Sequence, residues 1–97
     1  MHRTEDIHRE LAAMKPFLEA EYHVAELAIF GSYARAAQTE ESDLDVLVEF
    51  DQPIGLLDLV RLENELSNRL GVDVDLVTRN SLKPRVEARI TDDIMYV

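Results

Sequence analysis

Ile7, Leu11, Met14 and Leu18 recur at intervals of four, three and four residues, which is the spacing of one apolar stripe along a helix. An opening helix is predicted, with Thr4 and Asp6 supplying polar groups for its start. The stretch "VAELAIF", residues 24–30, is short, apolar and followed by Gly31, so it reads as a buried strand. Over residues 43–50 the pattern alternates: Leu44, Val46, Val48 and Phe50 fall on one face, Asp43, Asp45, Leu47 and Glu49 on the other, as the two-residue period of a strand demands. Pro53 and Gly55 then break the chain before "LLDLVRLENELSNRL". There Leu56, Leu59, Leu62, Leu66 and Leu70 form a second helical stripe, assigned to the core, and Gly71 is placed to close the helix. "VDVDLV", residues 72–77, is the third strand; a short helix is expected around Pro84 to Ile90, and the terminal "IMYV" is expected to pack on the core.

Strands separated by helices predict an α+β (two-layer α/β) fold, a small mixed sheet of three to four strands with helices packed on it. The chain has 97 residues and no repeat or linker, so a single domain over 1–97 is expected, since a second core would find too little apolar surface.

Composition narrows the chemistry. No apolar run reaches the roughly 20 residues that a membrane span needs, and "MHRTEDIHRE" is charged where a signal peptide is apolar, so a cytoplasmic protein with no membrane partner is expected. The absence of cysteine excludes disulfides, thiol catalysis and thiolate metal sites. Any metal would be a hard cation held by oxygen. Twenty acidic against ten basic residues give a net charge of -10, which repels a phosphate backbone. Direct nucleic-acid binding is not expected; a basic protein or a metal-neutralised phosphate compound fits better.

The stretch "FGSYARAAQTEESDLDVLVEF", residues 30–50, carries the candidate chemistry. Asp43 and Asp45 are two apart on a strand, with Cα atoms about 6.5 to 7 Å apart on one face. Two anions held that close repel, and a divalent cation such as Mg²⁺ is the common remedy. Taken alone, "SDLD" is read more economically as Asp43 opening a strand while Asp45 faces solvent. The other half of the stretch changes the weighing, because a buried strand ending in Phe30 runs into Gly31-Ser32 and a short helical turn around residues 33–37. Glycine allows a close backbone approach, and the free N–H groups of the turn with the Ser32 hydroxyl can bind phosphate oxygens. Gly-Ser is also an ordinary strand-to-helix turn. Together the two halves pair a phosphate cradle with carboxylates for the ions that bridge it.

This pattern, an apolar strand, Gly-Ser, about ten residues and Asp-apolar-Asp-apolar, resembles the signature of the polymerase-beta-like nucleotidyltransferase superfamily. More closely it is similar to the minimal nucleotidyltransferases (MNT) that pair with HEPN-domain ribonuclease toxins, and the resemblance covers nearly the whole chain. It implies a third carboxylate in a V-D-L-V context, here Asp75 within Val74-Asp75-Leu76-Val77; Asp73 is the less supported candidate. The resemblance further implies that Asp43, Asp45 and Asp75 hold two Mg²⁺ ions and that Gly31, Ser32 and Arg35 bind the nucleotide. AMP would pass from ATP to a tyrosine hydroxyl of the partner toxin, with which the chain would form a hetero-oligomer. One departure is visible, since the family's glycine after the arginine is Ala36 here. Two other functions fit the pattern less well: an antitoxin that neutralises by steric binding, and a nucleotidyltransferase acting on a small molecule, whose enzymes add an acceptor-binding domain that is not expected here.

The remaining polar residues have simpler readings. Arg35 divides evenly between a triphosphate contact and an ion pair with Glu40 or Glu41. His2, His8 and His23 lack ligand spacing and read as surface residues. Tyr33 reads as packing, and Lys83, Arg85 and Arg89 as a solvated helix face.

Overall fold

The computed structural model describes residues 3–78 and 93–97. The elements run α1 (Thr4–Tyr22), β1 (Val24–Phe30), β2 (Leu44–Phe50), α2 (Leu56–Leu70), β3 (Val74–Thr78) and β4 (Ile94–Tyr96). They form a four-stranded sheet in the order β3-β2-β1-β4 with two helices packed on it. β1 runs antiparallel to both β2 and β4, whereas β2 and β3 are parallel. The sheet is therefore mixed, as the alternation of strands and helices predicted. The parallel pair is joined through α2, because parallel neighbours need a crossover rather than a hairpin.

One face of the sheet lies under both helices. Ile7, Leu11, Met14 and Leu18 of α1 and Leu62, Leu66 and Leu70 of α2 meet Leu27, Ile29, Leu44, Val46, Val48, Val74 and Leu76 in one cluster. The opposite face carries Ala28, Phe30 and Leu47, with Val77 and Ile94 against them. The alternation read along residues 44–50 thus sorts β2 as expected. Among the described residues no helix is long and apolar enough to cross a membrane.

The structure departs from the sequence reading at several points. Leu56 is not a core residue: it is 76% exposed, and Leu59 is only partly buried. The first turn of α2 overhangs a groove at the ends of β2 and β3, lined by Phe50, Leu56, Leu59 and Thr78 among others, so the helical period continues where there is no sheet beneath it. Residues 94–96 form the edge strand β4 beside β1, and Met95 and Val97 pack on the core. The start of α1 is not capped by a side chain: Asp6 pairs with Arg9, and the Thr4 hydroxyl leaves the helix altogether. Gly71 closes α2 in the left-handed conformation, φ 69°, its N–H bonded to the Ser67 carbonyl, as predicted. The helix expected around residues 84–90, and Lys83, Arg85 and Arg89, lie outside the described residues.

Candidate active site

β1 ends at Phe30 and the chain turns at once. Gly31 has φ 73°, a conformation that side chains rarely adopt, and a Cβ built on it would run into the Asp45 carboxylate. Glycine is required here twice, for its backbone angle and for space. The close approach anticipated for a ligand is made first by the protein's own aspartate.

The expected short helix after Gly31 is a single turn over residues 31–36. Its hydrogen bonds run from Arg35 N–H to the Gly31 carbonyl (3.2 Å), from Ala36 N–H to that of Tyr33 (3.2 Å) and from Ala37 N–H to that of Ser32 (2.9 Å). The last two, with Ala36 at φ 55°, make the pattern that ends helices with a left-handed residue. The helix therefore stops as soon as it starts, and no helix dipole of useful length points at the site. The N–H groups of residues 32–34 stay outside these bonds. Ala36 occupies a backbone position that glycine fills without strain, which explains physically why a glycine belongs there in the pattern the sequence resembles.

Residues 37–43 lead from the turn to β2. Ser42 closes this loop: its side-chain oxygen accepts the Thr39 N–H at 2.8 Å, and its own N–H reaches the Thr39 carbonyl at 3.1 Å. Asp43 follows, exposed and one residue before β2 begins. Asp45 is inside the strand and only 8% exposed. It does not face solvent, so the economical reading of "SDLD" is overturned. The register explains the burial. Asp45 lies opposite Phe30 on β1 and opposite Asp75 on β3, so it sits in the middle of the sheet with Gly31 just beyond its β1 neighbour. Side chains directly opposite share a face, and Asp75, exposed, lies one strand over, about 4.8 Å away in the sheet. Asp73 stands one residue before β3, and its carbonyl accepts the Leu44 N–H at 2.8 Å. Thus Asp45, Asp75 and the Gly31 turn converge, and Asp43 stands at the rim.

A groove of about 450 Å³ opens beside Asp43, lined by Tyr33, the loop residues 39–43, Ser67, Asn68, Val72 and Asp73. The Tyr33 ring is buried in the core, the packing role expected of it. Burial, and secondly the negative charge of Asp43, push its phenol above the usual tyrosine range. Arg35 is exposed, and among the described residues it forms no ion pair, with Glu40 and Glu41 or otherwise. His8 bonds the Tyr96 carbonyl (2.9 Å), and His23 follows α1 near Asp51 (3.9 Å); among the described residues neither bonds Asp43, Asp45 or Asp75. Sequence reasoning missed Thr4, whose hydroxyl donates to the Tyr33 carbonyl inside the turn at 2.7 Å. A polar residue at a helix start signals a cap, and nothing local distinguishes a cap from a tether.

Asp45 inside β2, Asp43 one residue before it and Asp75 on the parallel neighbour, with the Gly31 turn against Asp45, form the candidate site on this two-layer scaffold. The family model described as a nucleotidyltransferase domain matches residues 11–97. The chain belongs to that family, in its minimal (MNT) form, and is a nucleotidyltransferase.

Among its relatives, a Methanocaldococcus jannaschii protein named "Putative protein adenylyltransferase MJ1217" is 45% identical over 98 residues and covers 100% of each chain. The Thermococcus cleftensis "Protein adenylyltransferase MntA" is 39% identical over 93 residues, covering 96% of this chain and 94% of its own. A solved "Structure of putative minimal nucleotidyltransferase" superposes with a TM-score of 0.80 at 33% identity, over 97% of this chain and 95% of that one. A tri-AMPylated Shewanella oneidensis HEPN toxin in complex with MNT antitoxin gives a TM-score of 0.70 at 17% identity, over 96% of this chain and 70% of that one. At that identity the likeness is one of fold.

Proposed function

We propose that this chain is the antitoxin of a HEPN/MNT pair and adenylylates its toxin. In the reaction, the oxygen of a toxin tyrosine attacks the α-phosphorus of ATP, the bond to the β-phosphate breaks, pyrophosphate leaves and the phenolic proton is released to water. The observation that carries this reading is the register that sets Asp45 between the Gly31 turn and Asp75. A buried carboxylate next to a second carboxylate is costly unless hydrogen bonds, an opposite charge or a cation compensate it, and a divalent ion would serve both at once. A binding surface alone gives no reason to hold that arrangement.

The residues suit Mg²⁺ by donor type, since it takes carboxylate oxygens and keeps water and phosphate in its shell. Among the described residues, no three acidic or histidine side chains stand close enough together to hold a metal ion. Asp43, Asp45 and Asp75 would hold it by one or two carboxylates at a time, with substrate phosphates supplying the remainder. The ion would neutralise phosphate charge and lower the pKa of the attacking hydroxyl. Ser32 and the N–H groups of residues 32–34 that the turn leaves outside its own hydrogen bonds would grip the triphosphate, and Arg35, exposed and without an ion pair among the described residues, would add positive charge there. Relatives named protein adenylyltransferases and the fold shared with the antitoxin of a HEPN complex support the choice of acceptor class.

The test is incubation of a substoichiometric amount of the chain with ATP, Mg²⁺ and the protein encoded beside it, read by intact mass and ribonuclease activity. The expected outcome is silencing of excess toxin with mass gained in AMP-sized steps. Neutralisation that requires full stoichiometry, survives chelation and leaves the mass unchanged would replace the enzyme by a steric inhibitor, whose effect must follow occupancy.

A further inference from the structure

Thr4 is the first residue of α1, a helix of 19 residues with no side-chain cap. A threonine hydroxyl near a helix start often bonds neighbouring backbone. Here the hydroxyl crosses to the Tyr33 carbonyl, 29 residues away, at 2.7 Å, and the side chain is buried. The same oxygen accepts the Gln38 side-chain amide at 3.3 Å. Tyr33 lies inside the turn over residues 31–36 and Gln38 just after it, so one hydroxyl holds the turn from within and from its exit. The gripped carbonyl is itself part of the turn, because it also accepts the Ala36 N–H at 3.2 Å.

The turn has reason to need this. It contains Ala36 at φ 55°, a conformation disfavoured for alanine, and it closes on few backbone bonds of its own. A local segment with strain and few bonds has other conformations close in energy. Ile7, Leu11, Met14 and Leu18 seat α1 on the sheet, which makes the helix a fixed post for the Thr4 hydroxyl.

We propose that Thr4 is a positioning residue for nucleotide binding: through the Tyr33 carbonyl it holds the turn in the arrangement that brings Gly31 against Asp45. The inference rests on reading that turn as the triphosphate grip. Thr4 touches no substrate and acts only by raising the fraction of molecules whose turn is ready to bind. When the competent fraction falls, the apparent Kd rises by the same factor.

The test compares the full chain with Thr4→Val, which keeps the shape and removes the hydroxyl, and with Thr4→Ser, which keeps the hydroxyl. Hydrogen exchange is followed at the amides of Ala36 and Ala37, bonded within the turn, with Gly71 as the distant control. The Kd for Mg-ATP is measured by calorimetry, well below the melting temperature of each variant. Loss of one buried hydrogen bond of ordinary strength predicts that Thr4→Val exchanges roughly three- to tenfold faster at Ala36 and Ala37 and binds Mg-ATP weaker by a similar factor. Gly71 should be unchanged, and Thr4→Ser should restore both quantities. A Thr4→Val protein that melts lower yet keeps wild-type turn exchange and Kd would leave Thr4 as packing and overturn the proposal. If the turn loosens but even the wild type binds no ATP, the triphosphate reading itself fails, and the positioning role falls with it.

Discussion

Over residues 44–48 the two faces of β2 bury their side chains almost equally and use the burial for opposite ends. Leu44, Val46 and Val48 are fully buried beneath α1 and α2, where burial stabilises in proportion to the apolar area removed from water. On the other face Asp45 is 8% exposed and Leu47 2%. Burying Asp45 strips a carboxylate of water, a loss that hydrogen bonds, an opposite charge or a cation must replace. One strand therefore separates stability from chemistry by its two-residue period. The lesson is that low exposure alone does not distinguish a core position from a site; the neighbours do. Leu44 is surrounded by aliphatic side chains, whereas Asp45 is met by a glycine backbone and faces another aspartate across the sheet.

The sharpest way to break this contrast is to neutralise the polar face. Asp43→Asn with Asp45→Asn should lower transfer by at least about a hundred- to a thousandfold, on the scale of losing a preorganised electrostatic group, while the thermal midpoint holds or rises because two repelling anions are gone. Retained transfer by a folded double variant would remove these carboxylates from the site.

The converse change on the apolar face is Leu44→Ala. It should cost about 2 to 5 kcal/mol by chemical denaturation, a large share of a domain's stability, yet leave the transfer rate per folded molecule unaltered. A matching fall in rate would show that the two faces are not separable.

Ala36→Gly tests the turn that joins them. With φ at 55°, glycine relieves strain worth about 1 to 2 kcal/mol and returns part of it as unfolded-state entropy, so a net gain of roughly 0.5 to 1 kcal/mol is expected in a denaturation curve. A loss of stability would mean that the alanine methyl group is packed rather than strained.

The smallest effect is expected at alkaline pH. The Tyr33 phenol is raised by burial first and by Asp43 second. Above the usual tyrosine value of about 10 the unfolded chain gives up this proton before the folded one does, so stability present below that pH falls as pH rises through it. Tyr33→Phe should flatten that part of the stability profile relative to the wild type. Adding Asp43→Asn to the wild type should flatten it by less, since burial is the larger cause.

Sequence and structure divide the account of this protein along physical lines. The sequence by itself determined the periodic features. The α1 stripe, the alternation along β2 and the glycine stop at Gly71 each follow from local geometry that a few neighbouring residues specify. It also brought Gly31, Ser32, Asp43, Asp45 and Asp75 together as a candidate set, through a pattern of spacing and its resemblance. Only the tertiary structure decided which neighbours those residues have. The pairing of Asp45 with Asp75 depends on a parallel register between strands about thirty residues apart in sequence, which no local period encodes. The exposure of Leu56 depends on where the sheet ends beneath α2, and the Thr4 hydroxyl became a tether rather than a cap because Tyr33, 29 residues on, folds back beside it. Local chemistry proposes what a side chain can do, and long-range packing selects the partner it does it with.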